Sequence, residues 1–268
     1  MRKIDVVVPV YNAYASVKEC LKSLSKHQQP VEKIYLIDDC STDVRIKPLL
    51  NEFAKDNNWV VVYQDVNQGF VKTANKGLKL SKNNTILLNS DTIVSDNWLM
   101  GFKDCLTNNK DIATATAWSN NAEICSFPEF LRNNPIPADI DIFSRKLYDN
   151  YLPVYPEIPT AVGFCMLITQ QAKQVVGYLD EEQFGHGYGE ENDYSLRATR
   201  AGLRNVICDN VYVAHVGNQS FSDLGIKPDE SSMKRLLEKH PKYLELIQDF
   251  ISKDPLAEVR KTILSKIG

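Results

Sequence analysis

Short apolar runs alternate with polar, helically spaced stretches through the first third of the chain. Residues 4–10 (Ile-Asp-Val-Val-Val-Pro-Val) are almost continuously apolar, as a strand covered on both faces reads. Val17, Cys20, Leu21 and Leu24 then recur at helical spacing, with Ser16 as N-cap and Glu19 at capping-box distance. A second strand is predicted at 33–38, a helix on Ile46, Leu49, Leu50 and Phe53, a third strand at 60–63, a helix at 71–80 and a fourth strand at 85–89. This alternation predicts an α/β fold with a parallel sheet, right-handed crossovers and flanking helices.

The rhythm breaks after about residue 118, where 119–160 turn rich in Asn, Pro and Asp and read as loops and short helices. Strand character returns at 161–168. A Gly-rich acidic stretch follows at 185–193, then a helix to about 201 and strands near 204–208 and 211–215. From about 228 the chain reads as helical, on Met233, Leu236, Leu237, Leu244, Ile247 and Ile251. Lys and Arg mix with Leu and Ile there. A solvated helix packed on the core is one reading; a weak dock onto a membrane surface or partner enzyme is the other.

Length and charge narrow the class. The chain has 268 residues, 43% hydrophobic and 24% charged, with net charge −3. That suits one large domain, or one domain with a small appendage. No basic arm or stripe calls for nucleic acid. The N-terminus runs straight into a strand pattern and no apolar run reaches membrane-span length, so the expectation is a cytoplasmic protein. Cys20, Cys40, Cys105, Cys125, Cys165 and Cys208 form no C-x-x-C pair and read as buried reduced thiols, rather than a zinc site or nucleophile.

Candidate chemistry collects behind the strands. In an open parallel sheet, ligands bind beyond the carboxyl ends. Behind the first strand lie Pro9, Tyr11 and Asn12; behind the second, Asp38 and Asp39; behind the third, Asn67 and Gly69; behind the fourth, Asn89, Ser90 and Asp91. Turn chemistry explains any one of these, but all four together point to a polar ligand. No G-x-G-x-x-G and no Walker loop is present, which argues against a dinucleotide site. Asp39 either accepts the imide N–H of a uracil or thymine ring or caps a turn. Asp91 is the first metal candidate, since hard divalent cations take carboxylate oxygen. His215, after the run Val-Tyr-Val-Ala, is either a second ligand or a structural histidine. In Gly-Glu-Glu-Asn-Asp at 189–193, three carboxylates open a helix with Arg197 one turn on. Helix-terminal charge and an ion pair from Asp193 to Arg197 account for part of this. The paired glutamates beside a Gly-x-Gly-x-Gly run suit a general base, because crowded carboxylates raise one another's proton affinity.

Taken in order, Val-Val-Val-Pro-Val-Tyr-Asn-Ala, Ile-Asp-Asp-Cys-Ser-Thr-Asp, Asn-Gln-Gly-Phe-Val-Lys-Thr-Ala-Asn-Lys-Gly, Leu-Leu-Asn-Ser-Asp-Thr and Gly-Glu-Glu-Asn-Asp-Tyr-Ser-Leu-Arg resemble the family-2 glycosyltransferases of GT-A fold, over residues 4 to about 220. The resemblance implies a GT-A domain at 1–225 and a C-terminal helical segment at 226–268. Within that domain, 1–118 would be the nucleotide-binding half and 119–225 an acceptor-side half with a smaller sheet. It implies that Pro9, Tyr11, Asn12, Asp39, Asn67, Gly69, Asn75, Asn89 and Ser90 line the nucleotide pocket. Asp91 and His215 would hold Mn2+ or Mg2+. Glu191 would be the base, flanked by Glu190 and Asp193, and Trp118, Gly163 and Phe164 would border the acceptor. Asn89 replaces the first acid of the family's Asp-x-Asp, leaving the metal one carboxylate fewer. Glutamate replaces the usual aspartate at 191, which keeps Glu190 and Asp193 open as the base.

The activity implied is inverting transfer of a sugar from a nucleotide-sugar donor to a hydroxyl of a glycan, lipid-linked or protein-linked acceptor. UDP-hexose or UDP-N-acetylhexosamine is the first donor expected and dTDP-rhamnose the second. A cytoplasmic enzyme touching the inner membrane face fits such acceptors. The rival readings are a nucleotidyltransferase and a non-catalytic sugar-nucleotide-binding module.

Overall fold

The computed structural model describes residues 3–185, 187–217 and 230–268. Its first half follows the predicted alternation: β1 (Ile4–Val10), α1 (Tyr14–Lys26), β2 (Lys33–Asp38), α2 (Ile46–Asn57), β3 (Val60–Tyr63), α3 (Phe70–Leu80) and β4 (Asn84–Leu88). Then come β5 (Thr92–Ile93), α4 (Trp98–Asn108), β6 (Ile112–Trp118), α5 (Ile140–Asn150), β7 (Cys165–Ile168), α6 (Gln170–Val175), α7 (Glu190–Arg200), β8 (Arg204–Tyr212) and β9 (Ala214–His215). Three helices close the chain: α8 (Glu230–Lys239), α9 (Tyr243–Lys253) and α10 (Ala257–Ile267).

The main sheet runs β3-β2-β1-β4-β7-β6-β8, and β5 and β9 form a two-stranded ribbon. β1 pairs parallel with β2 and β4, and β2 with β3, so these four strands share one carboxyl edge. Both faces are covered. Val6, Val8 and Leu36 enter one apolar cluster while Val7, Tyr35 and Ile37 enter the other, the alternation a pleated strand demands. α3 lies so close to β1 that a Cβ on Gly77 would sit 2.2 Å from Cγ1 of Val7. Only glycine permits that approach.

The sheet is mostly parallel, and β7, antiparallel to both β4 and β6, makes it mixed. Other expectations need correction. The apolar run at 161–168 forms a strand only from Cys165, because the amides of Ala161 and Val162 donate instead to the hydroxyls of Ser195 and Thr116. The two strands expected at 204–215 are β8, continuous to Tyr212, followed by the short β9. Helix α1 begins at Tyr14, after Ala13 in the left-handed region, so Ser16 lies inside the helix and is not its cap. α4 and β6 carry no sequence expectation, although Trp98, Leu99, Phe102, Cys105 and Leu106 are buried at helical spacing.

The chain after residue 230 belongs to the same body. Leu256, Ile263 and Ile267 join the core cluster that contains Leu147 of α5, and Arg260 stacks 4.8 Å from the Phe130 ring centre. Leu236 of α8 enters the cluster on the other sheet face. The expected helix start near 228 and the 225/226 boundary lie outside the described residues. All six cysteines are free, and five are buried. No helix among the described residues is long and apolar enough to cross a membrane.

Candidate active site

The shared edge of β1 to β4 is tied together by its own polar groups. Oδ1 of Asn12 accepts the amides of Thr42 and Asp43 at 2.9 and 3.0 Å, joining the turn after β1 to the one after β2. Asp39, 3% exposed, accepts Gln64 Nε2 and the Gln68 amide on Oδ1 and the Gly69 amide on Oδ2, at 2.8, 2.8 and 2.9 Å. A carboxylate has about four acceptor sites, so three of them on Asp39 are spent on building the turn. Gly69 has φ 84° and opens α3. Tyr11 is half-buried and Asn67 exposed at this edge.

Two expected pocket residues are used elsewhere. Pro9 is buried within β1, opposite Ile37. Asn75, 1% exposed, gives its amide hydrogens to the Leu179 carbonyl and Glu181, and its oxygen accepts the Leu179 amide. Both its amide hydrogens are spent fastening α3 to the segment before α7.

The ribbon β5–β9 brings Asp91 and His215 together. Thr92 is in register with His215, and the Val216 amide donates to the Asp91 carbonyl. His215 Nε2 lies 3.5 Å from Asp91 Oδ1. Its Nδ1 is 2.9 Å from the Asn121 carbonyl, which orients the ring with Nδ1–H on that carbonyl and Nε2 facing Asp91. Asn120 clasps the His215 backbone, accepting its amide and donating to its carbonyl. Burial works to lower the imidazole's proton affinity, but the hydrogen bond and charge of Asp91, helped by the Asn121 carbonyl, outweigh it, and the net shift is upward. One carboxylate oxygen and one oriented imidazole suit a divalent cation whose remaining positions are filled by phosphate oxygen and water. Asn89 and Ser90 lead into Asp91. The Asn89 amide is spent on the Phe164 carbonyl and its carbonyl on the Thr92 hydroxyl.

The acidic cluster opens α7, with Gly189 at φ 104° as N-cap. The three acids have separate fates. Glu190 is 6% exposed, its Oε2 has no partner, and burial, then the neighbouring Glu191 charge, push its carboxyl well above the usual range. Glu191 is pushed up to about 7, chiefly by burial, with the Glu123 charge adding to it and backbone N–H groups opposing it. Asp193 has no exposed surface, yet is held below the usual range, because donors from His240, Lys239 and Arg197 outweigh its burial. Asp193 is therefore a saturated ion-pair hub, and Glu191 is the acid poised to exchange a proton near neutrality.

A dipeptide links the two chemistries. A Cβ on Gly163 would stand 3.9 Å from Glu191 Cγ, while the next residue, Phe164, stacks on the His215 ring at 5.3 Å between centroids. Consecutive Cα atoms are about 3.8 Å apart, so the Asp91–His215 pair and Glu191 flank the same short stretch. Phe164 is 2% exposed and seats the imidazole, which removes it from the acceptor border. Trp118 is also removed: it has no exposed surface and its Nε1 donates to the Asp209 carbonyl. Gly163 lies beside Glu191.

Sequence reasoning misses Asn120, Asn121 and Glu123. Their signal is the polar run directly behind β6, at a strand end hidden by the missed strand. A different cluster, His27, Asp96 and Asp141, also gathers metal-ligand types. Each ring nitrogen of His27 meets a different carboxylate at 3.0 Å, and Lys26 and Arg145 pair with the same two acids, so this is an ion-pair knot between α1 and α5.

Known proteins share both sequence and fold with this chain. The poly(ribitol-phosphate) beta-glucosyltransferase of Bacillus spizizenii is 32% identical over 151 residues, covering 54% of this chain and 23% of that protein. Glycosyltransferase GlyG of Streptococcus pneumoniae is 32% identical over 97 residues, 36% of this chain and 32% of that protein. The chain thus spans a third or less of the length of these relatives. Among solved structures, GalNAc-T7 with UDP, GalNAc and Mn2+ superposes at TM-score 0.67 and 15% identity, over 98% of this chain and 54% of that one. S. aureus TarS with UDP-GlcNAc superposes at TM-score 0.61 and 16% identity, over 88% of this chain and 66% of that one. These likenesses establish the GT-A-like fold. The model of glycosyl transferase family 2 matches residues 5–175, and the chain belongs to that family.

Proposed function

We propose that the chain transfers a sugar from a nucleoside-diphosphate donor to an acceptor hydroxyl with inversion at the anomeric carbon. The observation that carries this is the pair Asp91–His215 and the raised Glu191 on either side of Gly163–Phe164. Asp39 would receive the base of the nucleotide. Asp91 and His215 would hold Mn2+ or Mg2+, which as a Lewis acid offsets charge on the diphosphate. Glu191 takes the proton of the acceptor hydroxyl as its oxygen bonds to the anomeric carbon. The bond from that carbon to the diphosphate oxygen breaks on the opposite face, and the nucleoside diphosphate leaves. Glu190, beside Glu191, is pushed well above the usual carboxylate range by burial and then by its neighbour's charge. The proposed unit is a GT-A domain over 1–225, with 226–268 as an integral helical flank.

UDP-hexose or UDP-N-acetylhexosamine is the proposed donor, supported by the UDP ligands of the two similar structures. dTDP-rhamnose is second. A glycan, lipid-linked or protein-linked hydroxyl is the proposed acceptor, and the poly(ribitol-phosphate) transferase among the relatives supports a polymeric one. Exposed Leu244, Leu246 and Ile251 on α9 offer a surface for weak contact with a membrane face or a partner enzyme. The test is transfer from a UDP-sugar panel with Mn2+, reading the product's anomeric configuration by NMR. Glu191→Gln should lower the rate about 10²–10⁴-fold while calorimetry still finds donor binding. Unchanged transfer by that variant would remove Glu191 from the role.

A further inference from the structure

The strongest buried charge cluster outside the proposed chemistry is centred on Asp193, two residues beyond Glu191 in the first turn of α7. Its Oδ2 accepts Arg197 Nε at 2.8 Å, a contact within its own helix. Its Oδ1 meets Lys239 Nζ at 2.7 Å and His240 Nε2 at 2.8 Å, both from the end of α8. Lys239 also reaches Asp180 Oδ2 at 2.7 Å, and Arg197 spends its other nitrogens on the carbonyls of Val176 and Tyr178. Leu236 of α8 packs 3.9 Å from where a Gly189 Cβ would stand. An i,i+4 pair with Arg197 would already serve Asp193 as a helix residue. The Lys239 ammonium and the His240 ring come from far along the chain and converge on the turn that carries both glutamates.

We propose that Lys239 and His240 are positioning residues for the base: through Asp193 they clamp the first turn of α7, and the Lys239 ammonium offsets the fixed negative charge that shares that turn with Glu190 and Glu191. This rests on the reading of Glu191 as the base. The titratable groups interacting with Glu191 are Glu190 on its own turn, Tyr188 before the helix, Glu123 behind β6 and Tyr243 on α9, and Asp193 lies two residues further along the same turn. With the Glu123 charge already raising its proton affinity, an uncompensated charge on Asp193 would further favour the protonated form of Glu191 and idle the base. The end of α8 thereby becomes a support for the base.

The experiment follows the Glu191 carboxyl directly, by 13C NMR of the full-length protein labelled at glutamate, with the signal assigned through Glu191→Gln. Lys239→Met should raise its titration midpoint by about 0.5–1 pH unit, the order expected for one unit charge a helical turn away in a partly screened interior. Lys239→Arg should restore the midpoint. Adding Asp193→Asn to Lys239→Met should also bring it back, although no ion pair is rebuilt; a merely structural role would leave the double variant displaced. Lys239→Gln serves if the Met variant does not fold. The acid limb of the transfer rate should move with the NMR midpoint. An unmoved midpoint in folded Lys239 variants, or a double variant as displaced as the single one, overturns the proposal. Normal transfer by Glu191→Gln instead sinks the underlying reading while leaving the NMR coupling measurable.

Discussion

Glu191 meets a conflict that water would resolve and the protein does not. A carboxyl withdrawn from solvent prefers its proton, and a base must be able to give it up near the working pH. With its affinity pushed up to about 7, Glu191 sits at that balance. The rate of transfer should therefore rise with pH across an acid limb centred near 7, read from a kcat/KM profile. The same shift has a stability cost. The folded state binds this proton more tightly than the unfolded chain, whose carboxyl has the ordinary value of 4.5, so folding stability falls as pH rises through that interval. Glu191→Gln should consequently stabilise the protein by about 1–3 kcal/mol at pH 8 and by little at pH 4, in urea unfolding. A residue-level lesson follows for Asp193. It carries the same charge in the same motif, yet three donors hold it ionised. Sequence shows the cluster of acids; only the partners brought by α8 show which acid is free.

At the level of elements, the parallel strands and their polar carboxyl ends were legible because both signals are local: continuous apolar runs, and Asn or Asp directly behind them. α4 and β6 were not, because β6 reads Ile-Ala-Thr-Ala-Thr-Ala-Trp, small residues with little hydrophobic contrast despite complete burial. Without that strand Trp118 is placed at the acceptor border, and Asn120, Asn121 and Glu123 stay hidden. The pairing of Asp91 with His215 depends on a two-residue ribbon that no spacing rule reveals. Element packing makes sharp demands. Gly77→Ala should lower stability by roughly 1–3 kcal/mol, since α3 must move off Val7 of β1. Asn75→Ala strands buried partners at 179 and should cost about 1–3 kcal/mol, measured by thermal or urea unfolding.

Across the whole molecule, the carboxyl edge of β4, the β5–β9 ribbon and the opening turn of α7 meet around Gly163–Phe164, and the end of α8 pairs with Asp193 of that turn. The family match ends at residue 175, short of α7 and of His215, so the base and the histidine ligand rest on geometry alone. The central claim is that one cleft binds a nucleotide-sugar through a cation on Asp91 and His215 and places Glu191 beside it. Thermal unfolding with UDP-sugars, with and without Mn2+, tests it most directly on the wild type, Asp91→Asn and Glu191→Gln. Saturation at about 100 times Kd adds about 2.7 kcal/mol to folded stability. A Mn2+-dependent rise in Tm for the wild type and Glu191→Gln, lost in Asp91→Asn, is the result predicted; an equal rise without metal, or none with any nucleotide-sugar, would contradict it.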